Sequence, residues 1–253
     1  DRGFQVLHHL LDGAVSGDAC RSLCLSAITG VNPVMTDENR RAQARGIKIT
    51  IAAIAVFMLV VVASFVHRVQ MPRVMTASEL KLNGAYMFDT PRNIGEFTLL
   101  SHRGEAFTPA DFKGKWTLVF FGFTFCPDIC PTTLSFLNQF VGELEGTESE
   151  STAVVMISVD PARDTVDQLA SYVPFFNQDF IGVTGEFLEI HRVATALSTP
   201  FRKVMGEGGE YQVDHSSNVV LMNPRGDYHG FFKAPLDLAK MKVTYRSVRT
   251  QWD

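Results

Sequence analysis

The longest uninterrupted apolar stretch in the chain runs from Ile49 to Val66, ITIAAIAVFMLVVVASFV, softened only by Thr50 and Ser64. It is apolar all round rather than on one face, so it predicts a membrane-spanning helix rather than the amphipathic helix of a soluble core. Arg40, Arg41, Arg45 and Lys48 precede it, while Arg68, Arg73 and Lys81 follow more thinly. That bias places the N-terminus in the cytoplasm and the bulk of the chain across the membrane. A cleaved signal peptide is the alternative, because Val61-Val62-Ala63 before Ser64 has the small-residue pattern of a cleavage site. The apolar run continues past that point to Val66, which favours an anchor.

Beyond the anchor the pattern changes to short apolar runs alternating with helical spacing. Trp116–Gly122 (WTLVFFG) and Ala153–Val159 (AVVMISV) are continuous apolar runs, as expected of strands buried on both faces. Phe97–Leu100 and Ala106-Phe107 flank the turn His102-Arg103-Gly104 and predict a hairpin. Thr108-Pro109 opens a short helical turn. Leu134, Leu137, Val141 and Leu144 recur at helical spacing after Pro131, and Thr165-x-x-Gln168 opens a further helix with a capping box. Phe180–Val183 reads as a short strand, Glu186–Leu197 as a helix stopped by Thr199-Pro200, and Asn218–Met222 as a strand. The turn Asn223-Pro-Arg-Gly226 leads to a partner strand at 228–232, and Pro235–Arg249 is a last helix. Strands alternating with helices predict an α/β sheet, parallel at its centre, with an antiparallel hairpin at its edge.

The chain accordingly divides into five stretches. Residues 1–34 read as non-native upstream sequence, because Met35 followed by TDENRRAQARGIK looks like the start of a signal-anchor protein. Residues 35–48 form a cytoplasmic basic segment, 49–66 the transmembrane anchor, and 67–91 a tether containing Pro72, Gly84 and Pro91, with one short capped turn at Thr76–Glu79. Residues 92–253 are the folded domain.

Composition adjusts this picture in two places. Mean hydropathy over the 253 residues is slightly positive, and the single apolar run accounts for much of it. The net charge is −4, and residues 67–253 carry 17 basic and 22 acidic side chains, so a nucleic-acid surface is not expected. The four cysteines form two pairs of equal spacing, Cys20/Cys24 and Cys126/Cys130. The first pair lies before the anchor, on the reducing side, so it cannot share a site with the second.

Cys126 and Cys130 follow the first buried strand, where α/β sheets commonly place ligands. In Phe123-Thr-Phe-Cys126-Pro-Asp-Ile-Cys130-Pro131, Pro131 sets Cys130 at or next to a helix N-terminus, whose dipole favours a thiolate. Pro127 biases Cys126 away from helical geometry. Three readings of the pair compete: a structural disulfide, a dithiol redox couple and a metal site. Thiolates select copper(I) or zinc, and structural zinc would need a second cysteine pair in the same compartment. Two thiolates and one imidazole suit copper. Among the histidines, His67 and His102 read as solvated and His191 as a helix-surface residue. Spacing alone does not choose between His215, in Asp214-His215-Ser216-Ser217, and His229, in a Tyr-His-Gly turn. Met156 and Met222 read as core.

The segment Phe120-Phe-Gly-Phe-Thr-Phe-Cys126-Pro-Asp-Ile-Cys130-Pro131 resembles the copper motif of the Sco (SenC-type) cytochrome c oxidase assembly proteins. Val159-Asp160-Pro-Ala-Arg163-Asp164-Thr165, Asp214-His215-Ser216 and the upstream Asp111-Phe-Lys-Gly-Lys115 are similar to that family in matching order over about 94–245. The resemblance implies a thioredoxin-like domain that binds one copper ion, Cu(I) or Cu(II), through Cys126, Cys130 and His215. It implies a metallochaperone that serves the binuclear copper site of cytochrome c oxidase subunit II, by copper transfer, by reducing cysteines, or both. Cys126 and Cys130 would then also be a redox pair, which leaves open whether the protein is an enzyme. Other copper chaperones become further partners, and the location becomes the inner (cytoplasmic) membrane with the C-terminal domain on the periplasmic side. Asp160 and Asp128 carry over only as neighbours of the ligands or partner contacts; their plainer readings are a strand-ending cap and a solvated side chain. The competing function is a membrane-tethered thiol-disulfide oxidoreductase without a metal.

Overall fold

The structure is a computed structural model that describes residues 37–70, 74–206 and 210–252. It divides into two compact units after residue 71. The reading of 1–34, with Cys20 and Cys24, lies outside the described residues.

In the first unit, helix α1 (Asp37–Gln70) contains a stretch, Arg40–Arg68, long and apolar enough to cross a membrane. Its 29 residues, at about 1.5 Å rise each, exceed the ~30 Å of a hydrocarbon core. The side chains along the apolar run are exposed, Phe57 at 66% and Leu59 at 71% among them. The helix extends beyond the predicted 49–66 because Ala42, Gln43 and Lys48 are good helix formers.

The second unit is built on an eight-stranded mixed sheet. Its strands are β1 (Ala85–Arg92), β2 (Leu99–Ser101), β3 (Ala106–Phe107), β4 (Trp116–Gly122), β5 (Thr152–Ser158), β6 (Ile181–Thr184), and, later in the chain, β9 (Val219–Met222) and β10 (Tyr228–Phe232). Two further strands, β7 (Phe201–Met205) and β8 (Tyr211–His215), form a separate antiparallel hairpin. The sheet order is β1-β10-β9-β4-β5-β6-β2-β3. β4, β5 and β6 run parallel, and every residue of β4 is buried, as its unbroken apolar run requires. β9 pairs antiparallel with β4 and β10 with β9, the hairpin the sequence predicts, but it is not at the edge, because β1 pairs outside β10. At its turn Gly226 adopts φ +87, which suits glycine, and its N–H donates to Asn223 O.

The helices are α2 (Ala77–Leu82), α3 (Ile129–Gly142), a single turn α4 (Thr147–Glu150), α5 (Val166–Phe176), α6 (Phe187–Ala196) and α7 (Leu238–Trp252). A 3-10 turn spans Pro109–Phe112, with Thr108 N–H donating to Asp111. Phe140 of α3 meets Tyr245 of α7 edge-on at 5.4 Å. Leu169 and Val173 of α5 lie against Gly182 of β6, where an added Cβ would come within 2.9 Å of Val173.

Two expectations need correction. The stretch 67–91 is not a tether throughout: the capped turn expected at Thr76–Glu79 is there as α2, but β1 joins the sheet by pairing with β10, with Tyr86 stacked on Phe231. Pro91 is tolerated there because β1 is an edge strand. The capping box at Thr165 is half formed. Thr165 Oγ1 accepts from Gln168 N–H, but the Gln168 side chain turns away to Thr124.

Candidate metal centre

β4 ends at Gly122, and the chain passes through a turn, where Cys126 N–H donates to Phe123 O, into α3. The N-cap is Asp128, exposed and making no side-chain capping bond, so Cys130 is the second residue of α3. Cys126 is half-buried and Cys130 fully buried; both are free thiols. β4 comes close to this turn because residue 122 has no side chain: a Cβ there would meet the Phe120 ring at 2.6 Å and Cys130 Sγ at 3.0 Å.

His215 arrives from a different direction, as the last residue of β8. Its ring stands edge-on to Phe120 and Phe123, with centroids 6.0 and 5.8 Å away. Its Nδ1 lies 3.0 Å from the Ser216 carbonyl oxygen. A carbonyl can only accept, so Nδ1 carries the proton and Nε2 keeps its lone pair. Nε2 lies 3.5 Å from Cys130 Sγ. The ligand atoms of Cys126, Cys130 and His215 all lie within 4.8 Å of one another, and these three residues are the metal-type cluster found among the described residues. Burial lowers the pKa of His215, the bond to Ser216 and the charge of Asp214 opposing it, so the imidazole is neutral and free to ligate.

Cys130 departs from the expectation of a dipole-stabilised thiolate. Burial pushes its pKa well above that of an ordinary thiol, the neighbouring Cys126 adding to the rise and the bond to Phe123 opposing it. Desolvation outweighs the helix dipole here. A metal ion reverses that balance, since binding replaces the thiol protons. The set of two sulfurs and one imidazole nitrogen fits a soft ion such as copper.

The other histidines stand apart from this cluster. His229 is in strand β10, not a turn, edge-on to Trp116 and Trp252. His102 is buried rather than solvated, its Nδ1 accepting from Gly182 N–H at 2.9 Å. His191 is exposed on the outer face of α6, beside Phe187 and Phe201. Met156 and Met222 are core.

Around the cluster lie Asp164 and Tyr211, which sequence reasoning did not assign, and Asp160, which it expected as a neighbour of the ligands or a partner contact. Asp164 is buried; it accepts from Thr124 N–H at 3.1 Å, Thr124 Oγ1 at 2.6 Å and Ser158 Oγ at 2.6 Å. These bonds pin the turn that leads to Cys126. Burial raises the Asp164 pKa against them. Asp160, also buried, pairs with Arg163 and accepts from Tyr211 Oη at 2.9 Å, so it holds the β7–β8 hairpin that carries His215. Arg163 stacks on Tyr211 at 4.0 Å and on the half-exposed Phe125 at 5.0 Å. The signal for this hairpin in the sequence is weak: Tyr211-Gln-Val-Asp214 alternates after a glycine-rich segment, but Phe201-Arg-Lys-Val-Met205 before it does not.

Comparison with known proteins places this geometry. The SCO1/SenC family model matches residues 87–248, more than half of the chain. A protein of Stutzerimonas stutzeri described as a putative copper-binding protein is 41% identical over 147 residues, 58% of this chain and 72% of that protein. The human mitochondrial protein SCO2 homolog is 41% identical over 141 residues, 54% of this chain and 53% of its own length. The crystal structure of Arabidopsis thaliana ScoI with copper bound superposes with a TM-score of 0.58 at 36% identity, covering 62% of this chain and 98% of that one. Yeast Sco1 with copper bound gives 0.56 at 29% identity, covering 64% of this chain and 90% of that one. The fold is therefore the thioredoxin-like one expected, and the chain belongs to the SCO1/SenC family.

Proposed function

We propose that this domain captures one copper ion through Cys126 Sγ, Cys130 Sγ and His215 Nε2 and hands it on during assembly of cytochrome c oxidase. The observation that carries this reading is the convergence of three soft or borderline ligand atoms within 4.8 Å, drawn from two separate elements. His215 is held by Ser216 with Nε2 free, and the two thiols are unpaired. The copper-bound relatives support the same choice of ion. The recipient in this reading is the binuclear copper site of subunit II, with other copper chaperones as further partners. Helix α1 tethers the domain at the inner membrane, facing the periplasm.

The cysteines have a second chemistry. If they form a disulfide, two thiols lose two electrons and two protons, and both sulfur ligands are lost with them. The redox state of the pair therefore gates metal loading, and the reduced pair could instead reduce a disulfide in the recipient. In this reading residues 35–48 are cytoplasmic, 49–66 are the anchor, and the folded domain begins before residue 92.

Cys126→Ala, Cys130→Ala and His215→Ala are each expected to remove most of the copper from the purified full chain, measured as bound copper per chain. Copper retained at the wild-type level by His215→Ala would remove His215 from the ligand set. Mixing the copper-loaded chain with metal-free subunit II, and following copper and free thiols together, separates the two roles. Delivery moves copper with the recipient thiols already reduced, whereas reductase chemistry opens a recipient disulfide and leaves Cys126–Cys130 oxidised.

A further inference from the structure

Arg163 lies in the turn after β5, where its N–H donates to the Asp160 carbonyl oxygen at 3.1 Å. Its side chain is 26% exposed, and its Nε pairs with the buried carboxylate of Asp160. The guanidinium carbon stands 4.0 Å from the Tyr211 ring centroid, 5.0 Å from that of Phe125 and 5.6 Å from that of Phe123. Nη2 is buried and has no hydrogen-bond partner among the described residues. Beyond the ion pair, the group is therefore held by aromatic rings, a role that a planar, delocalised cation fills better than a compact ammonium.

The rings belong to the two segments that carry the ligands. Phe123 and Phe125 are in the cysteine turn, Phe125 next to Cys126. Tyr211 opens β8, whose last residue is His215, about 13 Å further along the strand. Among the described strands β7 and β8 pair only with each other, and an isolated two-stranded hairpin is marginal by itself. Its seat beside the cysteine turn thus depends on side chains. His215 meets Phe120 and Phe123, Phe201 meets Phe187 of α6 at 5.8 Å, and Tyr211 meets Asp160 and Arg163. Apart from the ligand His215 itself, Arg163 is the side chain among these that touches both segments.

We propose that Arg163 is a positioning residue that fixes the span between the Cys126–Cys130 sulfurs and His215 Nε2 before copper arrives, by stacking at once on the cysteine turn and on the histidine hairpin. A ligand set held at that span takes up copper without first ordering the hairpin, which raises affinity. Without this clamp the imidazole stands off the sulfurs, and the geometry at copper changes with it. This rests on the copper reading above.

The test compares the full-length wild type with Arg163→Lys, Phe125→Leu and the double variant in detergent. Copper(I) affinity is measured by competition with a chromogenic chelator, the sulfur-to-copper(II) charge-transfer band by visible absorption, and metal-free stability by thermal melting. Arg163→Lys keeps a charge beside Asp160 and loses the planar stack. It is expected to weaken copper(I) binding about tenfold, as loss of a group that orients ligands does, and to shift the band. Phe125 is 51% exposed, so Phe125→Leu is expected to leave metal-free melting unchanged. It should weaken binding about two- to fivefold, the worth of one exposed cation–π contact, and shift the band the same way. The double variant is expected to bind no more weakly than Arg163→Lys, because both changes remove one shared contact. Unchanged affinity or an unmoved band in Arg163→Lys overturns the proposal; an unmoved band with a drop in melting is a packing effect. Losses that add up in the double variant also overturn it, since the two side chains then act separately. If Arg163→Lys does not fold, Phe125→Leu decides by the same two readouts. A wild type that binds no copper sinks both this inference and the functional reading, an outcome distinct from a defect or its absence in the variants alone.

Discussion

At the scale of single residues, the site depends on positions where one group decides the geometry. Gly122 is one: any larger residue must displace the Phe120 ring or Cys130 Sγ. Both neighbours are fully buried, so neither gives way easily. Gly122→Ala is expected to destabilise the domain by about 1–3 kcal/mol and to weaken copper binding, checked by urea unfolding and copper titration. His229, outside the site, is a position where burial decides protonation. Burial, with help from the Arg225 charge and against that of Asp227, lowers its pKa from 6.5 to about 4. The unfolded chain therefore binds a proton that the folded chain refuses between pH 6.5 and about 4, and stability falls as pH drops through that window. His229 Nδ1 is also buried without a partner among the described residues. His229→Phe is expected to flatten the loss of stability between pH 7 and pH 5, measured as the urea midpoint at each pH; an unchanged slope would assign that loss to other groups.

At the scale of elements, the β7–β8 hairpin is the part whose role was least visible. It delivers His215 to a site otherwise built by the β4–α3 turn. Its link to the body is Tyr211, which donates to buried Asp160 and lies under Arg163. Tyr211→Phe removes one bond from a buried carboxylate that keeps its Arg163 partner. A cost of about 1–3 kcal/mol is expected, together with weaker copper binding, because the hairpin loses its register against the ligand turn. Thermal melting and a copper titration check both parts. An unchanged copper affinity would show that His215 is positioned by its contacts with Phe120, Phe123 and Ser216 alone.

At the scale of the whole molecule, the two units have opposite solvent requirements. The apolar stretch of α1 is exposed along its length, 0% buried, whereas the second unit holds a continuous core from Leu80 to Val248. Residues 72–253 alone are therefore expected to remain in solution without detergent and to bind copper as the full chain does, while the full chain partitions into detergent. Sedimentation of the two forms with and without detergent tests this. Aggregation of the shorter form would overturn this expectation.

The sequence by itself determined the apolar helix, the buried strands β4 and β5, the hairpin β9–β10 and the cysteine turn, because each is written in local periodicity or turn chemistry; that β1 covers the outer side of β10 was not. It also held the family's motifs in order, although spacing alone left His215 and His229 equal as ligand candidates. Tertiary structure decided between them: His215 is brought to the sulfurs by a hairpin whose pairing is not local to the Cys turn, and His229 is packed between two tryptophans. It likewise decided the protonation of Cys130. A helix start favours a thiolate in any sequence reading, but the burial that outweighs it arises only when β4, α3 and the β7–β8 hairpin close around the sulfur.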